Sequence, residues 1–194
     1  MARLESKIHE VIVTTLSEDG QIHAAPMGIW EEKGNFIVAP FKPSTTYNNL
    51  FRHPECVVNY TDDVRVFAGS VTGRRHWPTQ VATHVYGGVL VQALAHSELR
   101  VTQLQDRDPR AHFYCRVVHE ANHRPFRGFN RAQGAVIEAA VLVSRLHLLP
   151  FDKIERELKY LQIAVDKAAG PREWEAWEWL MEQVQHYRGE EIKS

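Results

Sequence analysis

The sequence predicts an α+β fold: a mainly antiparallel β-barrel over residues 1–125, followed by a helical subdomain over residues 126–194. Three observations carry this. Up to about residue 118, short runs rich in β-branched and aromatic residues recur between Gly-, Pro- and Asp-containing turns, the pattern of an antiparallel sandwich or barrel. After Phe126 the apolar residues switch to three- and four-residue steps, the period of helices. Charge shifts with them: residues 151–194 hold 7 Lys and Arg against 10 Asp and Glu, whereas the remainder holds 16 against 14.

The elements follow in order. Ile8–Thr15 is a β-branched run, Ser17-Glu18-Asp19-Gly20 supplies a turn, and a second extended run from Gln21 to Trp30 completes a hairpin. The turn signal Lys33-Gly34 precedes a third run, Asn35–Pro40, and Glu55–Tyr60 is a fourth. Between these, Ser44 is placed to cap a short helix through Thr45, Thr46, Tyr47 and Asn49, which Pro54 ends. Further strand candidates are Val64–Ser70, Gly88–Leu94 and Ala111–Val118. Asn130 then caps a helix, apolar nearly all round, that stops before Pro150. Asp152 with Glu155 resembles a capping box opening the next helix, whose stripe is Ile154, Leu158, Leu161, Val165 and Ala168 and which Gly170-Pro171 ends. A last helix carries Trp174, Trp177, Met181 and Val184 and frays near Gly189.

Composition excludes several functions. With 194 residues, 44% of them hydrophobic and 24% charged, the chain is of the soluble globular type. A net charge of −1 argues against a nucleic-acid partner, whose binding rests on neutralising phosphates. No apolar run nears the roughly 20 residues of a membrane span, and Met1–Lys7 lacks a signal peptide's apolar stretch. The expectation is a cytoplasmic protein with no membrane partner. Cys56 and Cys115 are expected as two reduced thiols.

The loudest motif is His119-Glu120-Ala121-Asn122-His123, which matches H-E-x-x-H. That zinc chemistry needs a helix, to set both imidazoles on one side of the metal with the Glu as base. Here a strand-like run precedes the motif and Asn122 and Pro125 oppose a helix, so a zinc hydrolase through His119 and His123 stands as an alternative only. His76, His84 and His96 show no ligand spacing on one element, and Gly73–Pro78 reads as an exposed basic loop containing Arg74 and Arg75. Glycine-rich phosphate loops and the G-x-S-x-G elbow are missing.

A quieter arrangement is more informative. A strand ending Phe41-Lys42-Pro43 runs into Ser44-Thr45-Thr46 at a helix start, offering hydroxyls, free N–H groups and a cation to a phosphate. An ordinary capped helix reads the same way. Ala24-Ala25-Pro26-Met27-Gly28 places proline and glycine inside a β run, where they mark an edge or bulge and let the backbone approach a flat ligand. Asn59, at the end of the fourth strand, has an amide to offer such a ligand's polar edge.

Taken together, Val13-Thr14-Thr15, Asp19-Gly20, Ala24–Gly28, Thr45–Leu50, Cys56–Asn59 and Asn130-Arg131-Ala132 with Ala135–Ala139 and Arg145-Leu146 resemble the FMN-binding split β-barrel superfamily. The likeness is strongest to a prokaryotic family within it that adds a C-terminal helical part. It implies a homodimer holding non-covalent FMN near the subunit interface. It further implies that Lys42, Thr45 and Thr46 serve the phosphate, Asn49 the phosphate or ribityl chain, Pro26, Met27 and Gly28 the isoalloxazine ring, Asn59 its polar edge and Arg131 an anion. Asn130 is equally an N-cap. The fold hosts flavin reductases and non-catalytic flavin binders alike, so the expected function is a small flavin-reductase-like oxidoreductase acting with a small-molecule substrate or electron donor, with a non-catalytic flavin-binding protein as the alternative.

Overall fold

The computed structural model describes residues 7–32 and 34–191. Lys33, half of the expected Lys33-Gly34 turn, lies outside them, as does Met1–Ser6. The chain forms two compact units. The first comprises the described residues up to Thr61 together with Trp77–Pro125, and the second comprises Asp62–His76 together with the described residues from Phe126 onward.

The first unit is a closed barrel in the order β1-β2-β3-β8-β7-β4, every neighbouring pair antiparallel. Its strands are β1 (Lys7–Leu16), β2 (Ile22–Glu32), β3 (Asn35–Val38), β4 (Glu55–Tyr60), β7 (Ala95–Gln105) and β8 (His112–Asn122). A separate two-stranded hairpin, β5 (Thr79–Val81) with β6 (Gly88–Leu90), lies between β4 and β7 in sequence, and α1 (Thr45–Arg52) between β3 and β4. Val11, Val13, Ile29, Val38, Leu50, Val58, Leu99 and Phe113 pack inside the barrel with both cysteines, which are free thiols. The alternation of β1 is hidden, because Ile12 and Thr14 on its other face are also fully buried. Thr14 donates to the carbonyl of Gly88, and a Cβ at Gly88 would lie 3.0 Å from Ile22 and 3.2 Å from Thr79 Cβ, so a side chain there would press these neighbours apart by a few tenths of an ångström.

The second unit is helical: α2 (Arg65–Val71), α3 (Arg131–Val143), α4 (Phe151–Ala168) and α5 (Pro171–Glu191). Asn130 caps α3 by accepting from Ala132 N at 2.8 Å and donates to Ala168 O at 2.9 Å, which ties the start of α3 to the end of α4. Ala132, Val136, Ala139, Ile154, Leu158, Val165, Trp177 and Leu180 are buried. No helix of the described residues is long and apolar enough to cross a membrane.

Several expectations change. Val64–Ser70 is helix α2, not a strand; Asp63, fully buried, accepts from Arg65 N at 3.2 Å and from its guanidinium at 2.7–2.9 Å, and a short apolar run is by itself ambiguous between the two states. Strand β7 was absent from the expected elements. Asp152 is not the cap of α4: Pro150 is, so Asp152 sits in the first turn, where its charge suits the helix dipole. The loop at Gly73–His76 is exposed, as expected, and within it the Arg74 guanidinium lies 4.4 Å over the Trp179 ring and 3.4 Å from Glu182.

Candidate functional site

The barrel's ladder parts between β2 and β3. Past Trp30↔Ile37, β2 and β3 part, and the chain after β3 stays with the strand-8 side through the Phe41↔Arg110 bridge and the bond from Lys42 N to Pro109 O at 2.9 Å. Among the described residues, Ile22–Ile29 of β2 therefore pairs with β1 alone. Residues 22–28 of this open edge are half-buried throughout, so Pro26 costs no ladder bond there. Met27 packs into the barrel core. Gly28 has a local reason to be glycine: a Cβ would come within 2.9 Å of Ile8 Cγ2 and 3.2 Å of Glu10 Oε1.

The same diverging segment leads into α1. Ser44 caps it, its hydroxyl accepting from Tyr47 N at 3.2 Å, which leaves the amides of Thr45 and Thr46 without an acceptor inside the helix. Thr45 is exposed and Thr46 buried. The structure thus brings Thr45, Thr46 and the cap together at one helix start, as the sequence pattern implies.

Three other residues of the expected site already have partners within the protein. Lys42 is not a free cation for an anion: its ammonium lies 2.7 Å from Asp106 and 3.0 Å from Asp108, and these two carboxylates hold its pKa above the ordinary lysine value. Asn49 is buried and spends its Nδ2 on Thr15 Oγ1 at 2.9 Å and Ser17 Oγ at 3.3 Å, fastening α1 to β1. Asn59 is fully buried, with Nδ2 donating among Ile12 O, Thr14 Oγ1 and Val57 O and Oδ1 accepting from Leu90 N at 2.8 Å. Its amide stitches β1, β4 and β6 together. Arg131 is exposed at the first turn of α3, in the second unit.

A second cluster lies elsewhere on the first unit. The H-E-x-x-H segment runs along β8 and just past it, so alternate residues share a face; Glu120 turns to the opposite face and accepts from Ser97 Oγ at 2.7 Å. That removes the metalloprotease arrangement. Yet His119 stands directly across from Glu98 of β7, and the hairpin brings His84 over the pair. His96 sits two residues before Glu98 on the same face, its Nδ1 2.8 Å from His123 Nε2 and its Nε2 3.3 Å from Glu98 Oε1. Burial pushes the His96 pKa down, outweighing Glu98. Burial pushes Glu98 up, but backbone N–H groups of Thr83, His84 and Val85, with His96, bring it below the ordinary carboxylate value. The sequence signal for this gathering was His96-x-Glu98 and His119 on adjacent strands; without β7 it had no frame.

Comparison with protein families gives two adjoining matches. The N-terminal domain of the family described as protein of unknown function DUF447 matches residues 9–124, and its C-terminal counterpart matches residues 130–182. The chain belongs to the DUF447 family. No curated protein matches this DUF447 sequence. Among solved structures, it is similar to an FMN-bound DUF447 protein from Methanosarcina mazei, at 22% identity and a TM-score of 0.81 over 93% of this chain and 96% of that one. An FMN-binding protein from Thermus thermophilus with bound p-hydroxybenzaldehyde is 17% identical, with a TM-score of 0.50 over 63% of this chain and 75% of that one. The 2-nitrobenzoate 2-nitroreductase of Pseudomonas fluorescens is 19% identical, with a TM-score of 0.50 over 58% of this chain and 64% of that one. At these identities the likenesses establish the fold of the DUF447 chain, an α+β split barrel with C-terminal helices.

Proposed function

We propose that this DUF447 protein binds FMN non-covalently at the opening beside the start of α1 and works as a flavin-dependent oxidoreductase on a small soluble substrate. The observation that carries the reading is the likeness, over 93% of the chain, to a family member crystallised with FMN. The chain's own residues fit the group. A phosphate accepts from orphan amides at a helix N-terminus, and Thr45 adds an exposed hydroxyl at that point. A flat ring system suits the unpaired edge of β2 at Pro26 and Met27, where no neighbouring strand competes for the backbone.

Bound FMN supplies the hydride and electron chemistry. The protein's part is to hold and orient it. In this reading Thr45 and the first-turn amides bind the phosphate by hydrogen bonds with little net charge, because Lys42 is already neutralised by Asp106 and Asp108. Asn49 and Asn59 act as positioning residues that fix α1 and the strands around the opening. Arg131 remains an anion partner on the strength of the resemblance alone. The active form is read as a homodimer, supported by the exposed rings of Phe41, just before α1, and Phe51, within it, 55% and 64% accessible.

The test is the purified protein's own spectrum followed by stopped-flow mixing with NADH or NADPH and oxygen. Yellow protein whose flavin is reduced and reoxidised with turnover supports the reading. Bound flavin that no nicotinamide reduces reverts it to a non-catalytic flavin binder, and protein that takes up no FMN ends it.

A further inference from the structure

We propose that His84, Glu98 and His119 form a binding site for one divalent transition-metal ion of the zinc type, outside the flavin opening and independent of it. One ligand atom from each of the three lies within 4.8 Å of the others. Two imidazoles and a carboxylate are the donor set that suits zinc and its borderline neighbours, at metal–ligand distances of about 2.1 Å. Ligand atoms around a tetrahedral zinc then lie about 3.4 Å apart, a separation that small side-chain rotations of the exposed His84 and half-buried His119 reach from here.

The site is built rather than incidental. Glu98 and His119 are a directly opposed cross-strand pair, so the sheet register fixes their common face. His84 comes from the turn of the β5–β6 hairpin, and Thr83 N, His84 N and Val85 N all donate to the Glu98 carboxylate, which locks that turn over the pair. The rings of His84 and His119 are stacked at 4.3 Å with an interplanar angle of 28°. His84 is exposed, and it also lines a cavity of about 690 Å³ beside the hairpin.

Charge points the same way. Glu98 is fully buried, and among the described residues no Arg or Lys pairs with it; Arg100, nearest in sequence, is committed to Glu55 at 2.8 Å. A buried carboxylate surrounded by imidazoles and amides lacks a formal positive charge, and a divalent ion supplies it. The carboxylate has about four acceptor positions, three of them taken by the hairpin amides. The fourth faces His96 Nε2 at a long 3.3 Å, the weakest of these bonds and the one a metal displaces. His96, hydrogen-bonded onward to His123, then stands beside the ligating shell, its ring 5.8 Å from that of His119. Glu120, the would-be base of the motif, is on the other face, so the assigned site binds metal without the metalloprotease arrangement.

The experiment uses tag-free full-length protein stripped with chelator and titrated with Zn²⁺ by calorimetry, with Co²⁺ as a spectroscopic probe. Wild type is expected to bind one equivalent and to show ligand-field bands with Co²⁺. His84→Ala, an exposed position that leaves the fold intact, and His119→Ala are each expected to weaken Zn²⁺ binding at least tenfold and to abolish the Co²⁺ bands. His147→Ala, an exposed histidine of the second unit, is expected to change neither. Wild type that takes up no zinc, or that loses no affinity in His84→Ala and His119→Ala, overturns the assignment, as does an equal loss in His147→Ala.

Discussion

Replacing Asn59 by alanine separates a stitching role from a ligand-binding one. The side chain is fully buried; its two amide hydrogens serve Ile12 O and Thr14 Oγ1 at 3.2 Å with Val57 O at 3.4 Å, and its oxygen takes Leu90 N at 2.8 Å. Truncation removes the amide's two donated hydrogen bonds at about 1 kcal/mol each and leaves the buried Leu90 N–H without its acceptor, a further cost of about 1–3 kcal/mol. The expected loss is about 3–5 kcal/mol. For a chain of this length that is on the order of 10 °C in melting temperature. Thermal unfolding followed by circular dichroism, with and without FMN, is the assay. A fall of a degree or two combined with a large loss of FMN affinity would refute the reasoning, because it would make Asn59 a ligand contact that the barrel does not need.

The other predictions are narrower. Thr45→Val, nearly isosteric and at an exposed site, should weaken FMN binding by about 1.5–3 kcal/mol, the range for hydrogen bonds to charged groups, without moving the melting temperature. Asp106→Asn releases Lys42 from one of its two carboxylates and should tighten FMN binding at low salt, an effect that disappears as salt is raised; weaker binding would show that Asp106 supports the site by other means. Arg74→Ala loses the contact over Trp179 and should cost about 1 kcal/mol in urea unfolding of the helical unit. His112 has its pKa lowered by burial and by Arg107 and Arg110, so the unfolded state takes up its proton first on acidification. The stability it contributes is present above about pH 6.5 and is lost as pH falls through the lowered folded value. His112→Gln should flatten that part of the urea-midpoint profile, and a wild-type profile that rises on acidification would reverse the sign.

What could be read ahead of the structure was local. Glu55–Tyr60 as a strand, Ser44 and Asn130 as caps, and the helices behind Asn130 and Pro150 rest on neighbours within a turn or two, and the structure keeps them. What could not be read depends on distant partners. β7 hides its alternation because its outer face carries His96, Glu98 and Arg100, made tolerable by amides of residues 83–85 and by Glu55. Lys42 looks like a phosphate cation until Asp106 and Asp108, more than sixty residues on, are seen to hold it. The histidines have no common element; only the β7–β8 register and the hairpin turn bring them together. Val64–Ser70 failed for the opposite reason, since seven apolar-rich residues do not by themselves choose between strand and helix.

The most direct test of the central claim is a fluorescence titration of FMN into the stripped full-length protein. The account predicts saturable quenching at one FMN per chain, weakened by Thr45→Val. FMN fluorescence unchanged by the wild-type protein would contradict it.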